Sequence, residues 1–197
     1  MKKTILIIYL IFCIIALTAN ILENISAKYS NISSFEADIS QTNFFSQIDY
    51  TLESQGKIFI FHNSFVIEYL SPIYQFIKIE NEIVTMYSQQ ENTAIVTSNA
   101  SAFNNITSLF TEILTNKFVA GEVKNGLHEY TVLENFDSIS NMKIFINENT
   151  NLLEKISYSD TEDNIVTINI SNQVFNEALS KSIESFVIPE NATIIYD

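Results

Sequence analysis

The 197-residue chain sets 23 acidic residues against ten basic ones, all lysine, for a net charge of −13. Its length suits one domain with a sizeable core. The charge excludes nucleic acid as a partner, since neutralising a phosphate backbone needs a basic stripe, and it excludes electrostatic adsorption to anionic lipid.

The N-terminus is set apart. Lys2 and Lys3 form a short basic region, Thr4 to Leu17 is almost wholly apolar, and Thr18-Ala19 supplies small residues for cleavage. This pattern is expected to be a secretory signal peptide over residues 1–19, followed by one domain over 20–197. The apolar run is shorter than the ~20 residues that a membrane span needs. The bulky Phe12 argues against lipidation at Cys13, the single cysteine. Without the segment the cations fall from ten to eight, the charge becomes −15 and no cysteine remains. An oxidising compartment then adds no disulfide, so the core must hold itself together. So high a charge favours a soluble monomer.

Downstream, Ile21, Ile25, Tyr29 and Ile32 recur at helical spacing, which predicts a short amphipathic helix over Asn20–Ile32. Strands are predicted at Ser34–Gln41, Tyr50–Ser54, Lys57–Phe61, Phe65–Leu70, Tyr74–Ile79, Ile83–Tyr87 and near Thr93–Thr97. The period changes over Ser101–Phe118, where Phe103, Ile106, Phe110, Ile113 and Leu114 share one face of one or two helices. Strands resume at Glu129–Leu133, Met142–Asn147, Leu152–Ser159 and Ile165–Ser171, with a last piece at Ser185–Ile188 before Pro189. The fold class is therefore mainly β (α+β): one large curved antiparallel sheet with a few helices on a single face.

The stretch "GKIFIFHNSFVIEYLSP" (56–72) reads as a hairpin that is apolar on both sides. With the turn at Asn63-Ser64, His62 faces Phe65, Ile60 faces Ile67 and Ile58 faces Tyr69. The opposite face carries Lys57, Phe59, Phe61, Val66, Glu68 and Leu70, and its charges mark it as the side that can meet water. The first face needs an apolar neighbour. That neighbour is either the protein's own core or a hydrophobic ligand held in the hollow of an incomplete barrel. Residue pattern leaves both open.

Chemistry-bearing motifs are missing. Three glycines, at 56, 121 and 126, cannot write a phosphate loop or a dinucleotide fingerprint. His62 and His128 lie far apart, without cysteine or closely spaced carboxylates for zinc, and His128 reads as a surface residue. No serine sits in a nucleophile elbow. Acid clusters at Glu80–Glu82 and Asp160–Asp163 read as solvated turns. No catalytic residue, metal or cofactor is expected, and the chain is not read as an enzyme. Triplets such as Asn31-Ile-Ser and Asn105-Ile-Thr are acceptors only in a eukaryotic secretory route.

Several blocks resemble the periplasmic lipoprotein carriers of the LolA family. "SSFEADISQ" (33–41) is similar to the family's opening strand, with Phe35, Ala37 and Gln41 matching and Ile39 in place of the second aromatic. "SQGKIFI", "FVIEYLSP" and "IKIENEIVTMY" resemble the blocks that follow, although the usual Asp-Gly turn of the last is missing. "NEALSKSIESFVIPENATII" looks like the closing Phe-x-x-Pro segment. The resemblance covers essentially all of residues 20–197. It implies an unclosed β-barrel under a helical lid that carries the acyl chains of lipoproteins through the periplasm, from the inner to the outer membrane. It further implies an inner-membrane lipoprotein-releasing transporter and an outer-membrane receptor as partners. On this reading Phe35, Ile39, Ile58, Ile60, Phe65, Ile67 and Tyr69 line the hollow, and Phe103, Ile106, Phe110 and Ile113 lie beneath the lid.

One departure concerns release. The family often places an arginine before the turn of this hairpin, and this chain has none. Counting from Gly56 lands on His62, the candidate for lid or release control; counting back from Pro72 lands on Phe61. Ile67 also stands where the family usually has a tryptophan-like residue. Two further readings stay open: a LolA-like sensor or regulator that binds lipid or lipoprotein without shuttling it, and a secreted structural β module with a solid core.

Overall fold

The computed structural model describes residues 28–29, 32–62, 64–98, 118–133, 139–179, 183 and 186–197. The segment expected to be a signal peptide, residues 101–117 of the helical region predicted over Ser101–Phe118, and all of the predicted N-terminal helix but its end lie outside them. Lys28 and Tyr29 are helical. Phe118, expected to close the second helical region, instead opens a strand.

The strands are β1 (Ser34–Phe45), β2 (Tyr50–Phe61), β3 (Ser64–Ser71), β4 (Gln75–Glu80), β5 (Ile83–Ser88), β6 (Thr93–Thr97), β7 (Phe118–Lys124), β8 (Leu127–Val132), β9 (Ile139–Asn147), β10 (Leu153–Asp160), β11 (Ile165–Phe175) and β12 (Thr193–Tyr196). They form one sheet in the order β12-β6-β5-β4-β3-β2-β1-β11-β10-β9-β8-β7, and it does not close into a barrel. Every pairing is antiparallel except β12 with β6, which is parallel. Residues 186–188, expected to be the last strand, carry none; the C-terminal strand comes five residues later.

Bulges bend this sheet. The register shifts in β3, β7, β9, β10 and β11, and each extra residue adds local twist and curvature. Asn141 and Asn172, at the shifts in β9 and β11, take φ of 53° and 51°. Asparagine occupies this left-handed region more readily than other side chains with a Cβ.

The two strands predicted at Tyr50–Ser54 and Lys57–Phe61 are one. Gly56 lies in its middle because β3 passes too close for a side chain. A Cβ there would run into the Glu68 carbonyl oxygen and stand 2.9 Å from Tyr69 Cα. Register also differs from expectation. Ile60 pairs with Phe65, Ile58 with Ile67 and Phe61 with Ser64, so the turn opens at His62, one residue earlier than expected. His62 is exposed in that turn, at φ 45°. The shift is even-numbered, so every strand residue keeps the face assigned to it.

The hairpin's second face is not the wet one. Phe59, Phe61 and Val66 are buried with Phe76, Tyr87, Ala94 and Ile183, and Leu179, Phe186 and Ile188 pack against them. Phe186 stacks on Phe76 at 3.6 Å. The C-terminal segment thus covers the convex side of β2–β6. The charges that suggested solvent lie at its margin: Glu68 accepts a hydrogen bond from Tyr74 (2.9 Å), and Lys57 pairs with Glu36 (2.6 Å) and Asp38 (3.3 Å).

The Lys57 cluster clips three neighbouring strands. Asn172 of β11 donates to Asp38 of β1 at 2.7 Å. That bond, with Lys57 beside it, holds the Asp38 carboxyl below its ordinary range against the opposing effect of burial. A depressed folded-state value contributes stability above the unfolded pKa of about 3.9, and the contribution is lost as pH falls through the folded value. Asp38 is well exposed, so the gain is under about 1 kcal/mol. Between neutral pH and pH 2, the stability gap between the unsubstituted chain and Asp38→Asn is expected to close, as followed by urea midpoints.

Candidate ligand-binding face

Alternation along the strands puts one residue in two on the concave side. The resulting surface is continuous across the sheet. Phe35, Ala37 and Ile39 of β1 meet Ile58 of β2, Phe65 and Ile67 of β3, Ile79 of β4 and Val84 of β5. On the other flank they meet Val166, Ile168 and Ile170 of β11, Leu153 and Ile156 of β10, Met142, Ile144 and Ile146 of β9, and Tyr130 and Val132 of β8. All are buried, and all twelve strands belong to the one sheet, so among the described residues no second sheet provides the cover.

Of the residues expected to line a hollow, Phe35, Ile39, Ile58, Phe65 and Ile67 are buried in this cluster, and Ile60 and Tyr69 pack against it half-buried. Phe103, Ile106, Phe110 and Ile113 lie outside the described residues. His62 stands apart from the face, edge-on to the Phe61 ring at 6.1 Å. His128, expected at the surface, is buried on the concave side of β8, stacked on Tyr130 at 4.5 Å. The β8–β11 half of the face was not assigned to a ligand from sequence. The alternation Met142-Ile144-Ile146 and Val166-Ile168-Ile170 was the available signal.

At one end an aromatic clasp closes the face. The Phe35 and Phe175 rings lie 5.1 Å apart, and Tyr29 sits edge-on to Phe175 at 5.4 Å. The Tyr29 hydroxyl donates to Gln173 Oε1 (2.6 Å) and accepts from the Leu153 amide (3.2 Å), while Gln173 Nε2 donates to the Leu153 carbonyl (2.7 Å). Burial pushes the Tyr29 phenol up to about 12, outweighing the Leu153 hydrogen bond. The clasp ties the end of the N-terminal helix to β10 and β11.

The other end is polar. Here the inward positions are Gln41 and Asn43 on β1, Tyr69 on β3, Gln75 on β4, Ser88 on β5 and Tyr158 on β10. Tyr69 donates to Gln41 Oε1 (2.7 Å), and Gln41 Nε2 donates to Asn43 Oδ1 (2.9 Å). A cavity of about 170 Å³ lies over β4–β6, lined by Ile77, Met86 and Ile95 and by Gln75, Ser88, Glu91 and Thr93, and it adjoins the pair through Gln75, which stands opposite Tyr69. A second recess, about 520 Å³, lies on the convex side between β4–β5 and residues 186–188.

Among the described residues the acid clusters sit in turns. Glu80–Glu82 forms a hairpin turn, and Asp160 accepts from the Glu162 and Asn164 amides at 2.8 and 3.0 Å within its own turn. No group of three or more His, Cys, Asp or Glu among the described residues is placed to hold a metal. No helix among them is long and apolar enough to cross a membrane.

No protein-family model matches the chain, and no curated protein does. Solved structures do. An uncharacterised conserved protein from Thermus thermophilus superposes with a TM-score of 0.60 at 12% identity, covering 91% of this chain and 99% of that one. MucB superposes with a TM-score of 0.50 at 8% identity, covering 90% of this chain and 64% of its own. A LolA superfamily protein from Nitrosomonas europaea gives 0.42 at 10% identity over 84% and 96%. The first two establish a shared fold.

Proposed function

We propose that the chain is a periplasmic carrier that takes up the acyl chains of lipoproteins on its concave face and moves them from the inner to the outer membrane. One observation carries the reading: a single unclosed sheet is apolar on its concave side from β5 through β1 to β8. The matching sequence blocks and the signal-like N-terminus support it.

Energetics fit a carrier that must let go. A buried methylene is worth about 0.8 kcal/mol, so one long acyl chain gains on the order of 10 kcal/mol by leaving water. The concave side chains are already buried, so a guest replaces contacts they make now. Uptake exchanges one set of apolar contacts for another, which keeps binding below that limit and makes release feasible. With no phosphate-binding loop in the sequence, direction comes from the membrane partners: a releasing transporter that loads and a receptor that binds the cargo more tightly.

Organic extracts of protein purified from its native host are expected to contain esterified and amide-linked acyl chains by mass spectrometry. The protein without its signal segment is expected to draw lipoprotein out of membrane vesicles. Acyl-free protein that also leaves vesicle lipoprotein in place rejects the carrier function. Acyl-loaded protein that never transfers its cargo makes the chain a sensor or regulator.

A further inference from the structure

The concave face is amphipathic along the strands, and this bears on which ligands it accepts. Its inner length is apolar, whereas the end formed by Gln41, Asn43, Tyr69, Gln75 and Tyr158 offers amide and phenol groups, and through Gln75, opposite Tyr69, it adjoins the 170 Å³ cavity over β4–β6. Roughly six waters' worth of space fits there, at about 30 Å³ each, which suits a small polar group and not an acyl chain. A face meant to hold only hydrocarbon would gain nothing from this end, because each half-buried polar group must be kept hydrogen-bonded.

Charge narrows the chemistry. Among the described residues no lysine reaches this end. Lys57, Lys78 and Lys143 are paired with Glu36, Glu80 and Glu129 on the convex side. Lys124 is paired with Glu122, Lys155 lies over the Phe145 ring, and Lys28 lies over Phe175. The nearby charges are acidic: Glu91 lines the cavity and Asp160 acts on the Tyr158 phenol. Among the described residues a phosphate would meet no cation here and two carboxylates. Ester and amide groups would instead find the second N–H of Gln41, the Gln75 amide, the Ser88 hydroxyl and the Tyr158 phenol.

We propose that this end of the concave face is a head-group subsite that receives the uncharged ester and amide groups of an acylated cysteinyl terminus and discriminates against phosphate-bearing lipids. The proposal rests on the carrier reading. It adds an orientation, with acyl chains along the apolar rows and the head at the Gln41–Tyr69 pair.

Binding of three probes to the delipidated protein tests it: a tripalmitoyl-cysteinyl peptide of zero net charge, dipalmitoyl phosphatidylglycerol, and N-phenylnaphthylamine as an apolar compound without such a head. The unsubstituted chain is expected to bind the lipopeptide at least tenfold more tightly than the phospholipid. In Gln41→Leu/Tyr69→Phe the ratio of lipopeptide to N-phenylnaphthylamine affinity is expected to fall about tenfold, the loss of one to two hydrogen bonds. An unchanged ratio in a variant that melts cooperatively overturns the subsite and leaves the carrier standing, as does equal affinity for the phospholipid. Failure of the unsubstituted chain to bind any of the three overturns both.

Discussion

Replacing Phe35 with alanine is expected to lower stability by about 4 kcal/mol, the usual cost of removing a fully buried phenylalanine and leaving a cavity. Phe35 is 0% exposed on β1, the strand that joins the two halves of the sheet between β2 and β11. Its ring meets Phe175 at 5.1 Å and Tyr29 at 6.2 Å, so the void cannot be filled by collapse of one neighbour. For a chain of this size the loss amounts to a fall in Tm on the order of 10 °C, readable by calorimetry. A drop below about 3 °C, less than the shift expected for 1 kcal/mol, would mean that this end of the face repacks freely. The clasp formed by Tyr29, Gln173 and Leu153 would then lose its claim to rigidity.

The second large effect is at Gly56. Gly56→Val is expected to cost about 3 kcal/mol, because the atoms that a new side chain meets are backbone, the Glu68 carbonyl and Tyr69 Cα, which cannot rotate aside. Either β3 moves away from β2 or the bulge at Leu70 is lost, and both disturb the inward set of Phe65, Ile67 and Tyr69. Gly126→Ala separates close approach from backbone freedom. Gly126 has φ 77° and open space where a Cβ would stand, so its cost is that of the left-handed conformation alone, about 1 kcal/mol. Urea midpoints for the two variants should differ in that order. Equal losses would mean that the β2–β3 approach is looser than the geometry implies.

Burial on both sides answers what the greasy hairpin is for. Ile58, Ile60, Phe65 and Ile67 serve the concave cluster, while Phe59, Phe61 and Val66 serve the convex one beneath the C-terminal segment. The candidate ligand face therefore rests on a strand pair that is held from behind. A guest can part the side chains in front without exposing the backs of these strands.

Much of this was legible in residue order. A period of two sorts side chains onto faces whatever the strands do next, so alternation put Ile58, Ile60, Phe65 and Ile67 on one apolar face, and they share one cluster; Phe35 and Ile39 were placed with them only by the resemblance. The register differs from expectation by an even number between β2 and β3, which was harmless to that assignment. Asn125-Gly126, both at positive φ between β7 and β8, is the strongest short turn signal in the chain and would have revealed β7, which the pattern of apolar residues alone did not.

Other features have no local signature. Lys57 and Glu68 made the convex face read as wet, because a charge at the margin of a buried cluster looks the same in sequence as one in open water. The parallel pairing of Thr193–Tyr196 with β6 joins segments about a hundred residues apart, and no periodicity encodes so distant a partner. The polar end of the concave face likewise arises only when β1, β3, β4 and β10 are brought into one sheet. Sequence alone determined which side of each strand is apolar, since that depends on alternation within a few residues. Tertiary structure decided what each side faces, since that depends on contacts between segments whose chemistry is separately unremarked.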